Sequence, residues 1–216
     1  MLRLFSYFRS SAAYRVRIAL NLKRLPYATV PIHLLRDGGE NNRPEYLARN
    51  PLGLVPTLET ENAVLIQSLP IIEYLEELHP DPPLLPAAAA DRAWVRALAQ
   101  TIASEIHPLN NLRVLDYLMD TLKLDAQGKL DWYHHWIHQG LMGVEKLLQS
   151  GPRPGGACCY GEQPTLADCC LIPQVYNARR FQCALEEFPR VVEIAEHCNG
   201  LPAFVQAAPE NQPDAE

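Results

Sequence analysis

No apolar run in this 216-residue chain approaches the roughly 20 residues that a membrane-spanning helix needs. An excess of positive charge is also missing: Lys and Arg total 19 against 25 Asp and Glu, a formal net charge of −6. Grip on nucleic acid or an anionic membrane normally needs the opposite balance, so neither is expected as a partner. The opening residues, MLRLFSYFRSS, contain no apolar h-region, so no secretory signal is read and the expected address is the cytoplasm. No C-x-x-C occurs among the six cysteines, which stand at 158, 159, 169, 170, 183 and 198. A chain of this size needs no disulfide staples, so free and mostly buried thiols are expected. H-E-x-x-H is absent as well. His134, His135 and His138 have metal-like spacing, but the helical stripe Tyr133, Trp136, Ile137, Leu141, Val144, Leu147 and Leu148 leaves them to one side. They are read as a solvated face, and no metal site is assigned.

What is present suits one or two packed domains: 48% of residues are hydrophobic and 20% charged. Residues 2–7 read as a buried strand, Ser10 and Ser11 open a helix with two apolar stripes, and 27–34 alternate as a second strand. A short helical stretch at 44–48 follows, then strands at 55–59 and 63–67 forming a hairpin, then a helix capped by Ser68. The order is βαβαββα. A proline-dense connector follows, and beyond it the period is helical, at about 88–103, 107–122, 130–150, 165–182 and 188–198. Thr165 to Asp168 forms a capping-box pattern, and the polar, Pro-containing tail 207–216 is expected to be an extended or loose end.

Two places in this order bear chemistry. Ser10 and Ser11 stand where a strand gives way to a helix, where N–H groups and the positive end of the helix dipole favour an anion such as a thiolate. Gln67 and Ser68 repeat the arrangement, apt for a carboxylate. Taken alone these serines are N-caps, and both roles can hold together.

The run SSAAYRVRIAL (10–20) strongly resembles the S-S-C-x-x-R-V-R-I-A-L signature of zeta-class glutathione transferases, the group of maleylacetoacetate and maleylpyruvate isomerases. Similar blocks follow in order: NPLGLVPTL (50–58), LIQSLPIIEYLEE (65–77), HPLNNLRVL (107–115), PTLADCCLIPQVYNARRF (164–181) and APENQPD (208–214). The resemblance implies an α/β thioredoxin-like, glutathione-binding domain over 1–80, a linker over 81–87 and an all-α substrate domain over 88–216. It implies glutathione as cofactor, with Ser10, Ser11 and Arg15 catalytic and with Ser10, Ser11, Val55, Gln67, Ser68, His107 and Asn111 holding the cofactor. Arg9, Arg113 and Arg180 are implied to grip a small cis-enedioate, since guanidinium suits planar carboxylates.

The implied reaction is glutathione-dependent cis–trans isomerisation by reversible thiolate addition to a double bond. Its substrate is expected to be maleylacetoacetate, in aromatic amino-acid catabolism, or maleylpyruvate, in gentisate degradation. A conjugating or dehalogenating transferase and a non-catalytic glutathione-binding module are the other outcomes, and a homodimer is implied. Ala12 stands where the family has cysteine, which shifts the burden to Ser10. Tyr7 is the rival, because other transferase classes use a tyrosine at the end of the first strand. Val55-Pro56 resembles the cis-proline site of thioredoxin-like domains. Arg17 and Arg179 are read as surface arginines.

Overall fold

The computed structural model describes residues 1–216. These divide into two units: 1–84 together with 200–216, and 85–199. No helix is long and apolar enough to cross a membrane.

In the first unit, β1 (Leu2–Ser6) lies at the middle of a four-stranded sheet of order β2-β1-β3-β4. It pairs in parallel with β2 (Tyr27–Pro31) and antiparallel with β3 (Thr57–Glu59), which pairs antiparallel with β4 (Val64–Ile66). Alternation along β1 and past its end sends Phe5 and Tyr7 into a cluster with Phe8, Val55 and Tyr46, the last from α2 (Pro44–Leu47). Ser6 points the other way, where its hydroxyl accepts a hydrogen bond from α1 (Ser11–Leu22). Helix α1 is covered on nearly every side, as its double apolar stripe requires, and packs on α3 (Ser68–Leu78). The buried Lys23–Glu76 ion pair, 2.7 Å, joins the far ends of these two helices. The second strand ends at Pro31, short of the expected 34.

The tail departs from expectation. Residues 200–216, assigned from sequence to the helical domain, belong to the first unit. Helix α9 (Pro202–Ala207) packs on α1, and the polar residues after it hydrogen-bond to the first unit, so the segment is not a loose end. Its polarity serves specific partners.

The second unit is helical: α4 (Ala89–Gln100), α5 (Leu112–Asp116), α6 (Ala126–Ser150), α7 (Leu166–Arg180) and α8 (Pro189–Asn199). Buried α7 is its axis and packs on α4 and α8. The expected capping box forms: Asp168 accepts from Thr165 N–H at 2.7 Å, and Thr165 Oγ1 accepts from Ala167 N–H at 3.3 Å. Burial raises the Asp168 pKa against these hydrogen bonds. The expected helix 107–122 is broken. A π-helical segment (Thr101–Ile106) and a 3₁₀ turn (His107–Asn110) carry α4 onward, extended Asn111 restarts the chain as α5, and a second π segment (Tyr117–Thr121) follows. Helix α6 starts at Ala126, earlier than the expected 130, with Asp125 as its cap, accepting from Gly128 N–H at 2.8 Å.

All six cysteines are free thiols, and five are buried. His134, His135 and His138 have separate partners: the Phe181 carbonyl, the Trp136 ring, and Glu187 with the Phe188 ring.

Candidate active site

Ser10 has the extended conformation of an N-cap, φ −68° and ψ 115°, and its Oγ accepts from Ala13 N–H at 3.2 Å. That bond uses an oxygen lone pair and leaves the hydroxyl proton for an external acceptor. Ser11 is the first helical residue and is buried. No acidic residue stands in the first turn of α1, so nothing in that turn neutralises the helix's positive end.

The start of α3 is built differently. Gln67 stands at the N-cap with φ 71° and ψ 126° and makes no capping hydrogen bond, and the first turn again holds no acid. A positive φ at a non-glycine residue costs on the order of 1–3 kcal/mol and persists where the surroundings enforce it. Gln67 thereby leaves the first N–H groups of α3 without a cap from its own side chain. Arg15 then ties the two helix starts together: its buried guanidinium donates from Nη1 to Ser68 Oγ at 3.3 Å. Val55 lies just before β3, its peptide to Pro56 is cis, and Tyr46 Oη and Asn50 Nδ2 each hold the Leu54 carbonyl at 2.6 Å.

Tyr7 is engaged elsewhere. Its ring is buried against Phe8 and His33, and its hydroxyl accepts from Arg9 Nη2 at 3.0 Å. Arg9, expected at the substrate, also lies over the Phe8 ring at 4.7 Å, and its Nε is buried with no acceptor. Arg17 corrects the sequence reading. It is fully buried, donating to Ser6 Oγ (3.0 Å), to the Phe8 carbonyl (2.9 Å) and to the Ala207 carbonyl (2.9 Å). Burial lowers its pKa to about 10, which leaves it a cation at neutral pH. Asp214 is a second residue that sequence reasoning left without a role; its Oδ2 accepts from Phe8 N–H at 3.0 Å. The block APENQPD held the signal, a carboxylate fixed in an otherwise polar tail.

The remaining expected residues lie in the second unit. Asn111 Oδ1 accepts from Arg113 N–H at 3.2 Å and so caps α5, while the Arg113 side chain is exposed. His107 N–H bonds the Ile102 carbonyl and closes the first π segment; such segments are frequent at functional sites. Arg180 ends α7, exposed, with its guanidinium 5.0 Å from the centre of the Phe181 ring, which stacks on Tyr133 at 4.0 Å. Arg179 behaves as a surface arginine, reaching Glu196 at 4.0 Å.

Residues 4–83 match the family described as Glutathione S-transferase, N-terminal domain. The chain is 50% identical to the probable maleylacetoacetate isomerase of Vibrio cholerae, over 98% of this chain and 97% of that one. It is similar to the holo structure of a maleylpyruvate isomerase, a bacterial zeta-class glutathione transferase, with TM-score 0.95 and 45% identity over 99% and 100% of the two chains. It is also similar to the maleylacetoacetate isomerase of Anaeromyxobacter dehalogenans crystallised with bound GSH in the active site, with TM-score 0.88 and 42% identity over 100% and 98%.

Proposed function

The chain belongs to the zeta-class glutathione transferases, the family of the maleylacetoacetate and maleylpyruvate isomerases, and we propose that it is a glutathione-dependent cis–trans isomerase of maleylacetoacetate. The observation that carries this reading is the pair of acid-free helix starts, Ser10 at α1 and Ser68 at α3, joined by Arg15.

That donor set fits glutathione, a ligand with a thiol at one place and carboxylates at others. When bound, glutathione supplies a thiolate that adds reversibly to the cis double bond and is returned unchanged. Ser10 donates its hydroxyl proton toward the sulfur while its oxygen keeps the cap on Ala13, and the dipole of α1 favours the anion further. Ser11 contributes its place at the same helix end. Ser68 and the open start of α3 receive a carboxylate, with Arg15 holding Ser68 in place and adding positive charge behind it. Val55 offers its backbone just before β3, next to the cis peptide to Pro56, and Gln67 is fixed at the N-cap of α3 with a positive φ. His107 and Asn111 contribute polar groups toward the cofactor. Arg9, Arg113 and Arg180 supply cations for the substrate's carboxylates, and Phe181 orients Arg180.

The second reading, maleylpyruvate as substrate, is favoured by the close superposition on a solved maleylpyruvate isomerase. A homodimer in the cytoplasm completes the proposal. Incubation of each cis-enedioate with the protein, with and without glutathione, tests it through the loss of cis-enone absorbance. Conversion is expected only with glutathione, and faster for maleylacetoacetate. Equal rates in its presence and absence overturn the reading.

A further inference from the structure

The loop between β1 and α1 ends at Ser10, and its backbone is held by groups from outside the loop. Within the loop there is one turn bond, Ser10 N–H to the Tyr7 carbonyl at 2.9 Å. The Phe8 carbonyl accepts from Arg17 Nη2, and the Phe8 N–H donates to Asp214 Oδ2, each within 3.0 Å. Arg17 in turn is anchored by Nε to the Ala207 carbonyl. Both backbone polar groups of Phe8, in the two peptide units that flank its Cα, are thus fixed, one from α1 and one from a residue 206 positions further along the chain. Asp214 is itself placed by its surroundings. Gln212 is buried and donates to the Gln206 and Ala208 carbonyls, and Glu216 meets Arg36 and His33 on the first unit.

We propose that Asp214 is a positioning residue for the thiol-activating serine: by holding the Phe8 N–H it sets where Ser10 presents its hydroxyl at the start of α1. The proposal rests on the reading of Ser10 as the donor to the sulfur. Phe8 is two residues from Ser10, and the turn between them carries displacement of one to the other. Asp214 is half-buried and its second oxygen, Oδ1, has no partner, so the bond to the Phe8 N–H is the contact its carboxylate makes. A positioning role of this kind acts on the ionisation of the thiol, whereas a role in stability alone leaves that ionisation untouched.

The test is a pH titration of thiolate absorbance in the binary complex with glutathione, read without turnover, for the wild type, Ser10→Ala, Asp214→Ala and Asp214→Asn. Asp214→Ala is expected to raise the bound-thiol pKa by about one unit, an effect of about tenfold on the thiolate fraction near neutral pH. Asp214→Asn keeps an oxygen acceptor for the Phe8 N–H and is expected to recover most of the shift. Activity of Asp214→Ala should fall at neutral pH and recover at alkaline pH with KM for glutathione nearly unchanged. Where the alanine variant does not fold, Asp214→Glu, which retains the carboxylate on a longer stem, is expected to show a smaller rise. A raised pKa in Ser10→Ala with wild-type values in all Asp214 variants overturns the positioning role and leaves Ser10 standing. A wild-type pKa in Ser10→Ala overturns the Ser10 reading and the proposal with it.

Discussion

Arg15 Nη1 lies 3.3 Å from Ser68 Oγ, so that one buried guanidinium spans the starts of α1 and α3. The separation of 53 residues in sequence makes this a tertiary device that no local propensity produces. Ser68→Ala removes the hydroxyl and leaves the arginine in place. A charge-assisted hydrogen bond contributes about 1.5–3 kcal/mol, so glutathione affinity should weaken at least about tenfold. Isothermal titration calorimetry checks this, and Arg15→Lys should fall in the same direction because one ammonium cannot reproduce the planar fork.

Ser10 and Tyr7 are separated by their partners. The Tyr7 ring is buried against Phe8 and His33, whereas Ser10 stands at the acid-free start of α1 with its hydroxyl proton left for an external acceptor. Ser10→Ala should therefore lower turnover at neutral pH at least about tenfold, with partial recovery at high pH where glutathione ionises unaided. Tyr7→Phe should keep the wild-type pH profile of kcat. The reverse pattern would transfer the role to Tyr7.

Gly140 shows competition between propensity and packing. Alanine in mid-helix is ordinarily favoured over glycine by about 0.8–1.0 kcal/mol. Here a Cβ on Gly140 of α6 would stand 2.3 Å from Cγ1 of buried Ile106. Overpacking of that kind costs about 1–3 kcal/mol, so packing prevails. Gly140→Ala should lower stability, read as a reduced Tm in calorimetry, and its cost should be smaller when it is made in an Ile106→Ala background, where the clashing side chain is gone.

The protein's own thiols do not rival the borrowed one. Burial pushes the half-buried Cys183 up to about 11 from an ordinary 9.0, which lowers its thiolate fraction at neutral pH about a hundredfold. Burial and neighbouring Asp168 push Cys159 up, and a hydrogen bond with Cys158 followed by burial does the same for Cys198. Alkylation of the native protein at neutral pH should be slow and confined to Cys183, and it should accelerate as the pH rises toward 11. Mass-spectrometric mapping of the label checks the order.

Local chemistry explains which parts of this protein were legible in its sequence. The cap at Ser10, the box at Thr165–Asp168 and the βαβαββα order depend on neighbours a few residues away, and each is present as expected. The burial of Arg17 is not legible locally because a buried guanidinium needs acceptors, and the one that anchors its Nε, the Ala207 carbonyl, is 190 residues distant. The double apolar stripe of α1, which leaves no solvated face, was the available clue. The order of the tail 207–216 is hidden for the same reason: its polar groups find partners far away in sequence, Asp214 on Phe8 and Glu216 on Arg36 and His33. At 107–122 the period was right and the continuity wrong, because Asn111 supplies a cap in the middle of an apolar pattern. The strained Gln67 is invisible in sequence, since its conformation is imposed by the strand and helix it joins.

Isomerisation differs from conjugation in the fate of the sulfur, and product analysis under sub-stoichiometric glutathione measures that fate most directly. Proton NMR follows maleylacetoacetate incubated with the protein and glutathione far below the substrate concentration. The account predicts complete conversion to the trans fumaryl isomer with all the glutathione recovered as free thiol. Conversion that halts after one equivalent of glutathione, with the sulfur retained in the product, would contradict it.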